Sequence, residues 1–130
     1  MYLGDKPGAL APGRDSLYGL YSRGSELLAR GHPHQAVMLL SQARLRAPGS
    51  SSIREALARA LFNCGFMSRA RREFTKIVEL DPANDYAHFG LALACERTGQ
   101  ASRAAAHLKM AVAMRPDADD YWHALTRLGA

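Results

Sequence analysis

Few residues in this 130-residue chain have the types and spacing that chemistry demands. His32-Pro33-His34 places two imidazoles in one turn, but no third ligand stands near them in sequence, and a defined transition-metal site needs more. Cys64 and Cys95 are far apart, form no CxxC motif, and fall among apolar neighbours in predicted helices. They read as reduced, buried thiols acting as small hydrophobes. Asp117, Asp119 and Asp120 cluster just ahead of the last helical segment. There, acidic groups serve as an N-cap and as partners of the helix dipole, not as an acid–base pair. No Gly-rich phosphate loop, GxSxG or HExxH occurs. The chain is therefore read as non-enzymatic, with no catalytic residue, cofactor or metal. Arg69, Arg72 and Lys76, with Arg71 beside them, form a basic stripe at spacings of three and four. It reads first as a solvated helix face and second as a docking patch for an acidic partner or RNA. No aromatic interleaves it, so nucleic acid is not an expected partner.

The formal net charge is +5, and 14 of the 17 basic residues are Arg. Residues 17–84 carry ten basic and five acidic groups, whereas residues 85–130 carry five of each. Along the chain, then, the excess sits in the first half. The Ala- and Arg-rich composition is the kind that a GC-rich bacterial genome encodes. No apolar run approaches the roughly 20 residues of a membrane span, and residues 1–14 have no signal-peptide core. The expectation is a cytoplasmic protein without a membrane partner.

What must position any functional side chain is a repeated pair of helices. Pro48, Pro82 and Pro116 are spaced 34 apart, and so are Gly31, Gly65 and Gly99, and Ala36, Ala70 and Ala104. Three coincident ladders of one period mark a helix–turn–helix array. Residues 1–14 have no apolar periodicity and are expected to form a flexible arm. The first unit, 17–50, carries Leu20, Gly24, Leu27 and Leu28, then Ala36, Leu40 and Ala43. The second, 51–84, carries Leu57, Ala58, Leu61 and Phe62, then Ala70, Phe74, Ile77 and Val78. The third, 85–118, carries Leu91, Ala92 and Cys95, then Ala104, Leu108, Ala111 and Val112. Asp15-Ser16 offers a cap for the first helix, and Ser52-x-x-Glu55 reads as a capping box for the third. Residues 119–128 begin a fourth unit with Trp122 and Leu125, and are read as a helix that covers the last repeat.

This pattern resembles the tetratricopeptide repeat family. The resemblance rests on the Gly turn, the closing Pro, the small helix-A residue (Gly24, Ala58, Ala92) and the helix-B trios Ala36/Leu40/Ala43, Ala70/Phe74/Ile77 and Ala104/Leu108/Ala111. It implies an all-α, right-handed solenoid of helical hairpins with about seven helices, spanning residues 15–130. The sequence departs from the family where a large apolar residue is usual early in helix A. That position holds Leu20 in the first unit but Arg54 in the second and His88 in the third, and Trp122 restores it in the last helix. His88 is read as a packed histidine with no partner for a pH-sensing role. Arg23, in the place of Leu57 and Leu91, is expected to be exposed because no unit precedes it.

The resemblance further implies that the A helices line a concave partner-binding groove. Its residues would be Tyr18, Tyr21, Ser25 and Leu28 in the first unit, Arg59, Phe62 and Asn63 in the second, and Tyr86, Phe89, Leu93 and Arg97 in the third. His123 and Arg127 would close the far end. Aromatic anchors with polar groups between them suit an extended peptide or an amphipathic helix, although rings at such positions also pack simply between neighbouring A helices. Some members of the family clamp a chaperone's C-terminal carboxylate with Lys, Asn and Arg. The matching positions here are Tyr21, Ser25, Ala56, Tyr86 and Gly90, so that clamp is not expected. The implied function is a non-catalytic protein–protein interaction module, an adaptor that binds a protein or peptide partner. The alternatives are a dedicated chaperone or assembly factor that shields one client, and a structural subunit that self-associates, with a homodimer supplying extra burial.

Overall fold

The computed structural model describes residues 16–129, so the expected arm at residues 1–14 lies outside the described residues. Seven helices follow one another: α1 (Leu17–Ala29), α2 (Pro33–Arg46), α3 (Ser51–Asn63), α4 (Met67–Leu80), α5 (Asp85–Arg97), α6 (Ala101–Met114) and α7 (Asp119–Arg127). No strand occurs among the described residues. Each helix packs on the next, while α3 also touches α1 and α5. The odd-numbered helices thus form an inner row and the even-numbered ones an outer row.

The local reasons for this architecture repeat with the 34-residue register. Gly31, Gly65 and Gly99 have φ of +82°, +85° and +78°, a region that favours glycine. Each closes a helix in the same double bond. His32, Phe66 and Gln100 donate N–H to the carbonyls of Leu27, Leu61 and Cys95 at 2.8–2.9 Å, while each glycine N–H reaches back three residues. Ser16, Ser50 and Asn84 are the N-caps of α1, α3 and α5, accepting from the N–H of Gly19, Ile53 and Ala87. The capping box read at Ser52/Glu55 is therefore not formed. The chain enters α3 two residues earlier, and Ser50 takes the cap. The aspartate cluster is also corrected in part. Ala118 is the N-cap of α7 and has no side-chain cap bond; Asp119 and Asp120 lie in the first turn, and Asp117 pairs with Arg115 at 3.3 Å.

The core is the apolar face of both rows, with Leu20, Leu40, Leu57, Leu61, Phe74, Ile77, Leu91 and Leu108 fully buried. Close approach of the rows demands small residues. A Cβ on Gly90 would lie 2.4 Å from the Phe74 ring, so only glycine lets that ring pass beneath α5. Cys95 is buried as read, but Cys64 sits at the C-cap of α3 and is partly exposed. Arg23 is partly buried, contrary to the exposed position expected of it.

The departures from the family pattern share one explanation. Arg54 Nε donates to the Pro48 carbonyl at 2.7 Å, His88 Nε2 lies 2.9 Å from that of Pro82, and Trp122 Nε1 donates to that of Pro116 at 2.8 Å. Each side chain carries an N–H that reaches the carbonyl of the proline closing the preceding repeat. The partner facing this position also follows the register, 34 residues apart: Glu73 in the second repeat and His107 in the third. Buried Glu73 accepts from Arg54 at 2.8 Å and from Arg44 of α2 at 2.6 Å. Buried His88 stacks on His107 with the two Nδ1 atoms 3.0 Å apart. A carbonyl can only accept, so His88 carries a proton on Nε2; with that tautomer its Nδ1 is the acceptor and His107 Nδ1–H the donor. The partner that the sequence failed to reveal for His88 is thus His107. In the first repeat Leu20 occupies this position and packs with Ala43 and Ile53.

Candidate functional site

Three adjoining hollows run along the inner row. The first, about 260 Å³, lies between α1 and α3 and is lined by Tyr21, Ser25, Leu28, Ala29, Ser52, Glu55, Ala56 and Arg59. The second, about 270 Å³, lies between α3 and α5 and shares Arg59 with the first; Phe62, Asn63, Phe74, Tyr86, Phe89, Gly90 and Leu93 complete it. The third, about 640 Å³, shares Phe62, Phe89 and Leu93 with the second and adds Glu96, Arg97, Asp120, His123, Ala124 and Arg127. Arg59 stands between the first and the second, and Phe62, Phe89 and Leu93 between the second and the third, so the three follow one another along the inner row. Of the thirteen residues assigned from the sequence, Tyr18 lines none of these hollows and is 66% exposed on α1. The remaining twelve all contribute to the walls.

The aromatic side chains serve packing and surface together. Phe74, Tyr86, Phe89 and Tyr121 form a chain of ring contacts with centroids 6.5, 6.4 and 4.7 Å apart. Tyr86, Phe89 and Phe62 are each only partly buried, so one edge holds the inner row together and the other faces the groove. Arg97 lies over the Phe62 ring, 4.9 Å from its centroid. Arg127 pairs with Glu96 at 2.6 Å, and the Tyr121 hydroxyl donates to Asp85 at 2.6 Å, which pushes the Tyr121 phenol well above its usual value after burial has already raised it. Burial also holds the Glu55 carboxyl above its ordinary range, opposed by Arg59 one turn away. Arg59 itself is exposed and makes no hydrogen bond or ion pair within 4 Å among the described residues. Ser25 Oγ is buried without a hydrogen-bond partner among them.

Sequence reasoning missed Ser52, Glu55, Glu96 and Asp120 as wall residues. The signal was present. Tyr18, Ser52, Tyr86 and Asp120 form one 34-residue row, Tyr21, Glu55, Phe89 and His123 another, and Leu28, Phe62 and Glu96 a third. Extending each row through every repeat recovers all four. Among the described residues, no group of three or more His, Cys, Asp or Glu could hold a metal ion. His32 and His34 are exposed in the first turn, and His34 meets the Phe66 ring edge-on.

Residues 67–128 match the family model described as tetratricopeptide repeat. Over those residues the chain is of the tetratricopeptide-repeat family. Its fold is that of a helical tetratricopeptide solenoid, as solved structures show. A crystal structure of MamA superposes with a TM-score of 0.83 at 16% identity, covering 88% of this chain and 67% of that one. The first tetratricopeptide domain of Spaghetti (RPAP3), bound to the HSP90 peptide SRMEEVD, superposes with a TM-score of 0.83 at 14% identity, covering 87% and 90%. YrrB, described as having an unusual peptide-binding site, gives 0.79 at 22% identity, covering 83% and 56%. Identities this low show the fold alone. No curated protein matches the sequence. The tetratricopeptide fold is generally a non-catalytic protein-interaction fold. No described helix of this member is long and apolar enough to cross a membrane.

Proposed function

We infer that this tetratricopeptide-repeat protein is an interaction module that seats an extended peptide or a helix of a protein partner along the inner row. The observation that carries this reading is the succession of three hollows along the inner row. Tyr21, Phe62, Tyr86 and Phe89 stand at successive stations along it, and between them lie the exposed Arg59 guanidinium and the Ser25 hydroxyl, which is buried without a hydrogen-bond partner among the described residues. Apolar anchors with polar groups between them suit a main chain that carries apolar side chains at intervals. Two proteins of similar fold are described as bound to a peptide or as having a peptide-binding site, which supports the reading by analogy. Specificity would rest on Arg59, Asn63 and Arg97 as polar selectors.

The test is a pull-down from native lysate with wild type and with a Tyr21→Ala/Phe62→Ala/Phe89→Ala variant, after the variant is shown to be helical and to melt cooperatively. The expected result is a partner captured by wild type and lost by the variant. A partner held equally by both would overturn the groove reading.

A further inference from the structure

Formal charge in this solenoid is divided by row, not by repeat. The outer helices α2, α4 and α6 carry eight Arg and Lys against two Asp and Glu, whereas α1, α3, α5 and α7 carry five against six. Both outer acidic groups are already engaged. Glu73 is buried between Arg44 and Arg54, and Glu79 lies 3.7 Å from Lys76. The outer row is therefore strongly cationic and the inner row slightly anionic.

The positive charge is centred on the outward stripe of α4. Arg69 and Arg72 are exposed, and Arg69 lies over the Phe66 ring, 5.8 Å from its centroid. The same outward register on the other outer helices mixes polar and apolar side chains: Gln35, Met38 and Gln42 on α2, and Arg103, Ala106 and Met110 on α6. Met38 stands in the place of Arg72 and Leu45 in that of Glu79, while Met110 stands in the place of Lys76. Met38 is 67% exposed, Leu45 73% and Met110 48%. The outer row thus carries a basic stripe on α4 and exposed aliphatic side chains on the outer helices before and after it.

We propose that the row of α2, α4 and α6 docks peripherally on a bilayer rich in anionic phospholipid, leaving the inner groove facing water. Phosphate headgroups attract basic side chains one by one, without a fitted pocket. Met38, Leu45 and Met110 then enter the boundary between headgroups and acyl chains. Single-stranded nucleic acid would use the charge but not these aliphatic side chains, and it stacks successive bases on several aromatic faces; beside the stripe stands Phe66, with Arg69 over one of its faces. A protein partner would need a pocket for each of three anchors spread over two non-adjacent helices.

Co-sedimentation with phosphatidylcholine vesicles, with and without phosphatidylglycerol, tests this. The protein should bind only the anionic vesicles, less so as salt rises. Arg69→Gln/Arg72→Gln/Lys76→Gln should weaken binding by about a hundredfold. Met38→Gln/Leu45→Gln should weaken it less, by a factor that salt does not change. All five positions face solvent, and circular dichroism would check that the fold persists. The groove variant Tyr21→Ala/Phe62→Ala/Phe89→Ala should bind vesicles like wild type, which separates this proposal from the peptide-binding one. Absence of vesicle binding, equal binding to neutral vesicles, or full binding by the triple Gln variant would each overturn it. So would binding of a single-stranded oligonucleotide, but not vesicles, that the triple Gln variant loses.

Discussion

In the second repeat, position 54 is an arginine facing Glu73; in the third, the same two register positions hold His88 and His107. Both pairs bridge an inner and an outer helix of one hairpin, and both leave an N–H for the carbonyl of the proline that closes the preceding repeat. One pair does this with full charges, drawing in Arg44 from the neighbouring repeat. The other does it with two imidazole rings. The solenoid therefore fixes where a polar contact must lie and leaves open its chemistry. The two choices differ in their response to mutation and to pH.

The largest difference should appear on removing one partner. Glu73→Ala leaves two guanidinium groups without their carboxylate, one of them on a side chain only 12% exposed. Stability should fall by about 3 kcal/mol in denaturant titration, near the lower end for a broken buried pair because Arg44 can turn to water. Replacing both partners, Arg54→Leu with Glu73→Leu, should recover most of that loss. A double variant as unstable as the single would show that the Pro48 carbonyl bond outweighs the ion pair.

His88→Leu should cost less, about 1–2 kcal/mol, since it removes two hydrogen bonds and strands no buried carboxylate or guanidinium. The loss should match that of His88→Leu/His107→Leu if the rings act as a unit.

Acid should weaken the third repeat's pair. His107 is held below its ordinary value of 6.5 by burial first, then by the neighbouring His88 and Arg103. The unfolded chain takes up this proton before the folded one does. The pair's contribution is thus intact above about pH 6.5 and declines as pH falls from there toward the lowered folded value. Melting temperatures measured from neutral to mildly acidic pH should fall for wild type, with a shallower slope for His88→Leu/His107→Leu. Parallel slopes would place the titration elsewhere.

The smallest effects concern the caps. Ser50→Ala and Asn84→Ala should each cost about 1 kcal/mol, since each side chain accepts from a helix-start N–H. Ser52→Ala should stay within about 0.5 kcal/mol, because Ser52 lies inside the first turn of α3.

The 34-residue ladders by themselves determined the hairpins, their turns and the apolar faces, because a left-handed glycine, a proline stop and a small helix-contact residue each have a local cause that repeats. The caps were less legible. Ser50, Ser51 and Ser52 are chemically equivalent as neighbours, and only the entry of the backbone into α3 selects Ser50. Arg54 and His88 looked like exceptions in the sequence because the role they share is a hydrogen bond to a carbonyl six residues back, and the residues facing them, Glu73 and His107, lie 19 positions away. Charge shows the same division most clearly. Counted along the chain, the excess belongs to its first half; counted in space, it belongs to the outer row. Helices alternate between the rows, and only their packing decides which side chains stand together.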